Sequence, residues 1–314
     1  MYQVQGSKRI VVGALIMSSA LVACGEEKQP VIDKPVVVAQ VTPEDNQLVV
    51  STTDSNLTRP KPVNVKYEDA ASVFRKGRYP EAFELFTVYV EENPENGFGH
   101  YMLGLSAWKS GDHDTAEKAL TKAVQLDSAS GKARTNLGRV LLEQGKAKDA
   151  LPHLQKAVEL TPESHEVWRV LGNVHAELGG TDAAIAAYRE ALLRNQKDAW
   201  SMNNYGLLLI KQGRYEDALR PLARAVELMP ESAVFQNNLG IAFEGSGWLG
   251  GARNAFSAAI ESDSTYAKSK ISLERVLKNL GDRTDESPDV SILARSFVEE
   301  MQSWRTTSPT DAQR

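Results

Sequence analysis

Between residues 63 and 266, large apolar residues recur at helical spacing in short stretches, broken alternately by a glycine turn and by a polar link. Phe86, Leu120, Leu154, Tyr188, Leu222 and Phe256 stand 34 residues apart, and Leu103, Leu137, Leu171, Tyr205 and Leu239 form a second series with the same step. Two such series per period predict two antiparallel amphipathic helices of about 14 residues in every unit. Small residues keep the same phase. Glycines fall at 77, 111, 145, 179, 213 and 247, and alanines five residues later at 82, 116, 150, 184, 218 and 252. Ala123, Ala157, Ala191, Ala225 and Ala259 mark a third register, with Tyr89 in the first unit. Gly104, Gly138, Gly172, Gly206 and Gly240 mark a fourth, where Ala70 stands in the first unit. Pro94, Pro162 and Pro230 close three units, and the period sets six: 63–96, 97–130, 131–164, 165–198, 199–232 and 233–266. Glycine suits a turn that needs a left-handed conformation, and small residues suit helices that approach closely.

Four registers repeating over 204 residues resemble the tetratricopeptide repeat. The resemblance implies an all-α fold, a right-handed superhelix or α-solenoid of six helix-turn-helix repeats. No unit could bury its apolar face alone, so stability is shared between repeats and their interfaces. Residues 267–280 keep the first-helix pattern, with Leu273 and Leu277 in core phase and Glu274 replacing the register glycine, which predicts a capping helix. After Gly281, Ser287 and Pro288 suit a helix start, and Val290, Leu293, Ala294, Phe297, Met301 and Trp304 follow at helical spacing. Two readings of this last helix stay open: it closes the array's end, or it docks into a partner. The capping region thus spans 267–305, and 306–314 reads as a disordered tail.

Composition narrows the partners. The 314 residues are 42% apolar and 25% charged, ordinary for a globular chain. Thirty-six basic against forty-one acidic residues give a formal charge of −5 without any basic block, so the footprint of nucleic-acid binding is missing. A single cysteine, Cys24, rules out an intrachain disulfide or a zinc cage of several thiolates. Its position is more telling. Lys8 and Arg9 precede a thirteen-residue apolar run, Ile10 to Val22, which is short for a membrane span and laid out as a signal peptide. Leu21, Val22, Ala23 and Cys24 resemble the bacterial lipobox, which implies a signal peptide over 1–23 and lipid attachment at Cys24.

Cleavage there leaves a mature charge of −7, because the lost segment holds two bases and no acid. Several acyl chains on one cysteine make a stable tether. Gly25, in place of the aspartate that marks inner-membrane retention in enteric lipoproteins, implies a periplasm-facing protein on the outer rather than the inner membrane of a bacterial envelope. Residues 24–62 read as the lipidated N-terminus and a flexible linker. Five of the chain's thirteen prolines lie there, and a coil of that length spans about 35 Å. An apolar patch within it, Val36, Val37, Val38, Ala39 and Val41, could fold back onto the repeats.

No catalytic chemistry is legible. Gly245, Ser246, Gly247, Trp248, Leu249 and Gly250 spell the dinucleotide-binding GxGxxG pattern, but in an inter-helix turn with no strand before it. No GxxxxGK[ST], GxSxG or HExxH sequence occurs. His100, His113, His153, His165 and His175 fall in five different registers and do not converge as metal ligands do. Acidic residues are interleaved with basic ones, as on solvated helix faces. The chain therefore reads as non-enzymatic, with no catalytic residue, cofactor or metal assigned.

In tetratricopeptide superhelices the first helix of each unit lines the concave face through its second, fifth, sixth, ninth, twelfth and thirteenth positions. Carried onto this chain, the resemblance implies an aromatic end made of Tyr67, Phe74, Phe98, Tyr101, Met102, Leu105 and Trp108. It also implies a polar stretch with few acids: Asn136, Arg139, Arg169, Asn173, Asn203, Asn204, Asn237 and Asn238. Carboxamides donate and accept, so such a row can hold a peptide backbone without demanding one sequence. Arg169, Asn173 and Asn204 match part of the carboxylate clamp of co-chaperone modules, but Val234 and Asn238 occupy its other two basic positions. The function implied is a membrane-tethered scaffold or adaptor that binds a peptide segment of an envelope protein. By layout it is similar to tetratricopeptide lipoproteins that assemble pili and envelope complexes, such as a type IV pilus or secretion system. Two other readings are an envelope enzyme or carrier with a concave site, and a structural oligomer built through the last helix.

Overall fold

The structure, a computed structural model, describes residues 64–281 and 286–307. The signal segment, Cys24, the linker with its valine patch, and residues 308–314 lie outside the described residues. Among those described there are fourteen α-helices and no strand. The six repeats are helical pairs: α1 (Tyr67–Arg75) with α2 (Tyr79–Glu92), α3 (Gly97–Lys109) with α4 (His113–Leu126), and α5 (Gly131–Glu143) with α6 (Ala147–Leu160). Next come α7 (His165–Glu177) with α8 (Thr181–Arg194), α9 (Ala199–Lys211) with α10 (Tyr215–Leu228), and α11 (Ala233–Gly245) with α12 (Leu249–Ser262). Two further helices follow, α13 (Ala267–Leu280) and α14 (Val290–Thr307).

Local chemistry sets each boundary. Asn96, Asp112, Ser130, Asp198 and Ser232 cap helix N-termini by accepting from the backbone N–H three residues on. The first helix of each repeat stops at a glycine with φ between 73° and 85°. At Gly111, for example, its N–H donates to the Trp108 carbonyl (3.0 Å) and the Asp112 N–H to the Ala107 carbonyl (2.9 Å), closing the helix in a Schellman motif. The same pair of bonds recurs at Gly77, Gly145, Gly179 and Gly213.

The second glycine register decides how the pair packs. A Cβ on Gly104, Gly138, Gly206 or Gly240 would lie 2.5–2.6 Å from Leu120, Leu154, Leu222 or Phe256, and one on Gly172 would lie 2.6 Å from Tyr188. Those five large side chains are at most 1% exposed. Glycine therefore lets the second helix drop its largest residue onto the backbone of the first. Leu103, Leu137, Leu171, Tyr205 and Leu239 are buried beside them, as the periodicity predicts.

First helices of successive repeats also touch one another, whereas consecutive second helices are held further apart. The array therefore curves toward its first helices, which line the concave side of the superhelix.

The C-terminus departs from expectation. α13 packs on α12 and α11, with Val276 buried and Leu273 partly buried, but Leu277 is 49% exposed rather than in the core. The last helix does not close that end. Instead α14 folds back over the second helices, packing along α10 and reaching α8. Ala294, Phe297, Met301 and Trp304 are buried there, while Arg220 pairs with Glu300 (3.2 Å) and the Arg189 guanidinium lies over the Trp304 ring at 4.5 Å. Second helices splayed by the curvature leave a gap on this side, and α14 fills it. The helix also runs to Thr307, beyond the predicted start of the tail.

Adding a methyl at the close glycine contact tests the packing rule. Gly206→Ala should cost about 1–3 kcal/mol through overpacking, read as a lower urea midpoint. Combined with Leu222→Ala, it should lose less than the two single losses added, because the shortened side chain makes room.

Candidate protein-binding surface

The concave face is built by one helix per repeat, so residues 34 apart line up along it. At its N-terminal end the aromatic side chains meet. The Phe98 ring lies 5.5 Å from that of Tyr67 and 5.7 Å from that of Tyr101, the latter pair nearly parallel at 21°. Tyr67 is anchored from below by Phe86 and Tyr89, both at 5.8 Å. Phe98 is 58% exposed, an unusual state for a phenylalanine held in a stack. Burial raises the phenol pKa of both Tyr67 and Tyr101, so both hydroxyls stay protonated across neutral pH.

Not every predicted aromatic joins this surface. Phe74 turns onto Tyr79 of its own repeat at 5.2 Å, and Met102 is buried. Trp108 forms a second focus. Its indole N–H donates to Glu143 Oε2 (2.7 Å), with the guanidinium of Arg139 and the amine of Lys109 over its rings at 5.1 and 4.6 Å. Burial raises the Glu143 carboxyl pKa, a rise offset in part by Trp108, His113 and Arg139.

The polar stretch is rearranged relative to the sequence reading. Asn136 joins the two ends: its Nδ2 donates to the Tyr101 hydroxyl (3.3 Å) and its Oδ1 accepts from Arg139 (3.1 Å). Arg139 is itself buried and ion-paired to Glu166 at 2.9 Å. Burial alone would raise the Glu166 carboxyl, but Arg139 and Arg169 hold it below its usual range. Arg169 reaches Asp198 (3.5 Å), a buried carboxylate that also accepts from the Ser201 hydroxyl (2.7 Å) and lies 3.1 Å from His165 Nδ1.

The asparagines do not form an open row. Ser269 donates to Asn237 (3.0 Å), Asn237 to Asn238 (3.4 Å), Asn238 to Asn203 (2.8 Å), Asn203 to Asn204 (3.2 Å), and Asn204 to Asn173 (2.9 Å). Asn173 Oδ1 also accepts the buried Tyr188 hydroxyl (2.8 Å). Four of the amides are buried and Asn204 is half-buried. Their bonding capacity is therefore spent mainly between repeats, because a buried amide left unpaired is costly. The partial carboxylate clamp fails for the same reason: Arg169 serves Asp198, and Asn173 and Asn204 serve each other.

Acids were overlooked in the sequence reading. Glu166 stands at the second helix position and Glu143 at the thirteenth, both concave positions by the same repeat rule. So were Leu207 and Ile241, half-buried residues at the ninth position, in register with Arg139 and Asn173. Applying the position rule to every residue type would have found all four.

Other candidate chemistry stays dispersed. Gly247 occupies the turn between α11 and α12, with a helix rather than a strand before it. Among the described residues no group of three or more His, Cys, Asp or Glu could hold a metal, and no helix is long and apolar enough to cross a membrane.

The tetratricopeptide repeat model matches residues 101–165, 135–201, 169–233 and 205–267, together more than half of the chain. The protein belongs to the tetratricopeptide repeat family, whose arrays are protein-interaction scaffolds. Among solved structures it is similar to the Cut9–Hcn1 hetero-tetramer of the APC/C, with a TM-score of 0.61 and 21% identity over 67% of this chain and 41% of that one. The chain thus spans less than half of that relative's length. Pseudomonas aeruginosa PilF is similar with a TM-score of 0.54 and 18% identity, covering 68% of this chain and 93% of PilF. A thermophilic tetratricopeptide repeat protein of Thermus thermophilus, TTC0263, is similar at 0.51 and 20% identity, covering 58% of this chain and 99% of that one. At these identities the likeness is one of fold. No curated protein sequence matches the chain.

Two measurements check the site's energetics. Asn203→Ala should cost about 1–3 kcal/mol, because it leaves buried partners unsatisfied, and should speed hydrogen exchange in α9 and α11. Asn136→Ala, at a half-buried position, should change stability far less. For Glu143 the folded carboxyl pKa lies above the unfolded one, so its favourable contribution is complete below the ordinary carboxylate range and lost as pH rises through the raised value. Glu143→Gln should therefore flatten that part of the stability–pH curve.

Proposed function

We propose that this protein is a membrane-tethered adaptor that holds a peptide segment of an envelope protein on its concave face. The observation that carries the reading is the Tyr67–Phe98–Tyr101 stack, which leaves one large ring open on a rigid support. Exposed aromatic anchors of this kind supply most of the binding energy at interfaces. A bulky apolar or proline side chain of the peptide would sit against Phe98. The backbone would then run toward Asn136 and Glu166, the more accessible polar groups beyond the stack.

The tether rests on the Leu21-Val22-Ala23-Cys24 sequence, with lipid at Cys24 and residues 25–62 as the spacer. A scaffold on a lipid anchor in the periplasm suits the assembly of an envelope complex, such as a type IV pilus or a secretion system. Gly25, in place of the retention aspartate of enteric lipoproteins, supports placement on the outer membrane.

Crosslinking in the intact envelope tests the groove. Phe98→Ala and Tyr101→Ala should each weaken partner capture by about tenfold or more, equivalent to roughly 1.4 kcal/mol, with the array still folded. Capture unaffected by both changes would sink the aromatic anchor. Cys24→Ser should move the protein from the membrane to the soluble fraction, and firm retention after that change would rule out the lipid tether.

A further inference from the structure

Two rows of side chains cross the concave face at fixed helix positions, and both change character in the same order. Along the second position, the first helices from α3 to α13 carry Phe98, Lys132, Glu166, Trp200, Val234 and Lys268. Along the ninth they carry Leu105, Arg139, Asn173, Leu207, Ile241 and Arg275. Each row is apolar in repeat two, polar in repeats three and four, apolar again in repeats five and six, and basic on α13. The rows stand about 10 Å apart along each helix, so the pattern belongs to the whole width of the face.

The second apolar block is built like the first. Val234 is 38% exposed at the position that Phe98 holds in repeat two. Next to it in the row, the half-buried Trp200 ring meets the buried Phe235 edge to face at 4.9 Å, a rigid support. Leu207, Ile210 and Ile241 are half-buried and continue the block across the face. Charge distinguishes the two blocks. On α9, α11 and α13 the concave positions carry Lys211, Lys268, Arg275 and Lys278 against Glu244 alone, in a chain of net charge −5. Arg275 engages Glu244 through two contacts of 2.7 Å, and the three lysines are exposed.

With Phe98 as the first anchor, a reading on which this step rests, we propose that repeats five and six carry a second anchor site. The face then takes one extended peptide with two apolar anchors and carboxylates beside the second. The helices set the distance between anchors. First helices that touch lie about 8–10 Å apart, so the three or four steps from α3 to α9 and α11 make about 24–40 Å. An extended chain covers that in roughly 7–12 residues at about 3.3 Å each. It also keeps its N–H and C=O groups free for Asn136 and Glu166 between the anchors, whereas a helix has used its own internally. The lysines call for carboxylates, since like charges there would cost affinity. A lipid surface does not fit, because a flat bilayer cannot follow a concave face.

The probe is a synthetic peptide series made in both chain directions: Pro-Phe, a Thr/Ser spacer of about 4 or about 10 residues, then Leu-Ile-Asp-Asp. Controls are each half alone, an alanine-rich helical spacer of the longer length, and a version ending in Leu-Ile-Lys-Lys. Fluorescence anisotropy with the full chain should show the longer Thr/Ser peptide, in one direction, binding at least about tenfold tighter than either half. The short and helical spacers should give no such gain, because neither reaches. Val234→Asp, at an exposed site, should abolish the gain, and Lys268→Glu with Lys278→Glu should invert the preference for the acidic end. Phe98→Ala should weaken the Pro-Phe half and leave the Leu-Ile-Asp-Asp half unchanged. No gain in either direction, an equal gain with the helical spacer, or insensitivity to both the Val234 and the lysine changes would overturn the second site. If the Pro-Phe half ignored Phe98→Ala while the acidic half still answered to the lysines, the aromatic anchor alone would fall.

Discussion

Everything in this array rests on the contact between a glycine backbone on one helix and a leucine, tyrosine or phenylalanine on the next. Gly104, Gly138, Gly172, Gly206 and Gly240 each receive such a side chain where a Cβ could not fit. That approach sets the spacing within a repeat, and the spacing brings successive first helices together on one side. Curvature follows, and with it a concave face that carries one residue of each position from every repeat. The same curvature opens the opposite side, where α14 finds its place.

The concave face divides its residues between holding the array together and meeting a partner. Amides from α7 to α11 bond mainly to one another, with the Ser269 hydroxyl of α13 joining them, and Arg139, Glu166, Arg169 and Asp198, the cap of α9, form ion pairs that link repeats three and four. An exposed ion pair contributes little to stability, but one with a buried member is costly to break. Recognition is left to the apolar positions, foremost at the aromatic end. There Tyr67 is held from below by Phe86 and Tyr89, Phe98 stacks between Tyr67 and Tyr101, and all three rings remain partly open.

Much of this was legible in the sequence because a 34-residue period constrains many residues at once. The paired helices, turn glycines, the large core residues and the apolar face of α14 all followed from spacing. What spacing could not show was how neighbouring side chains share their bonds. Asn203 and Asn238 occupy concave positions in any reading, but whether they face a ligand or each other depends on distances between adjacent helices. The place of α14 was hidden for a related reason. Its stripe of Ala294, Phe297, Met301 and Trp304 predicts a buried face and says nothing about which of several helix-sized gaps receives it. Leu277 was misjudged because core phase guarantees burial only where a covering helix follows.

The position of α14 has a mechanical consequence. A solenoid changes its pitch when neighbouring repeats rotate against each other, and this separates or closes their outer helices. Between α8 and α10 such movement would have to pull Trp304 from Arg189 and Glu300 from Arg220, and would open the contacts of Phe297 and Met301. α14 therefore acts as a splint across repeats four and five, stiffening one half of the coil. Repeats one to three carry no such brace among the described residues, so the compliance of the spring is concentrated at the end where the aromatic stack lies.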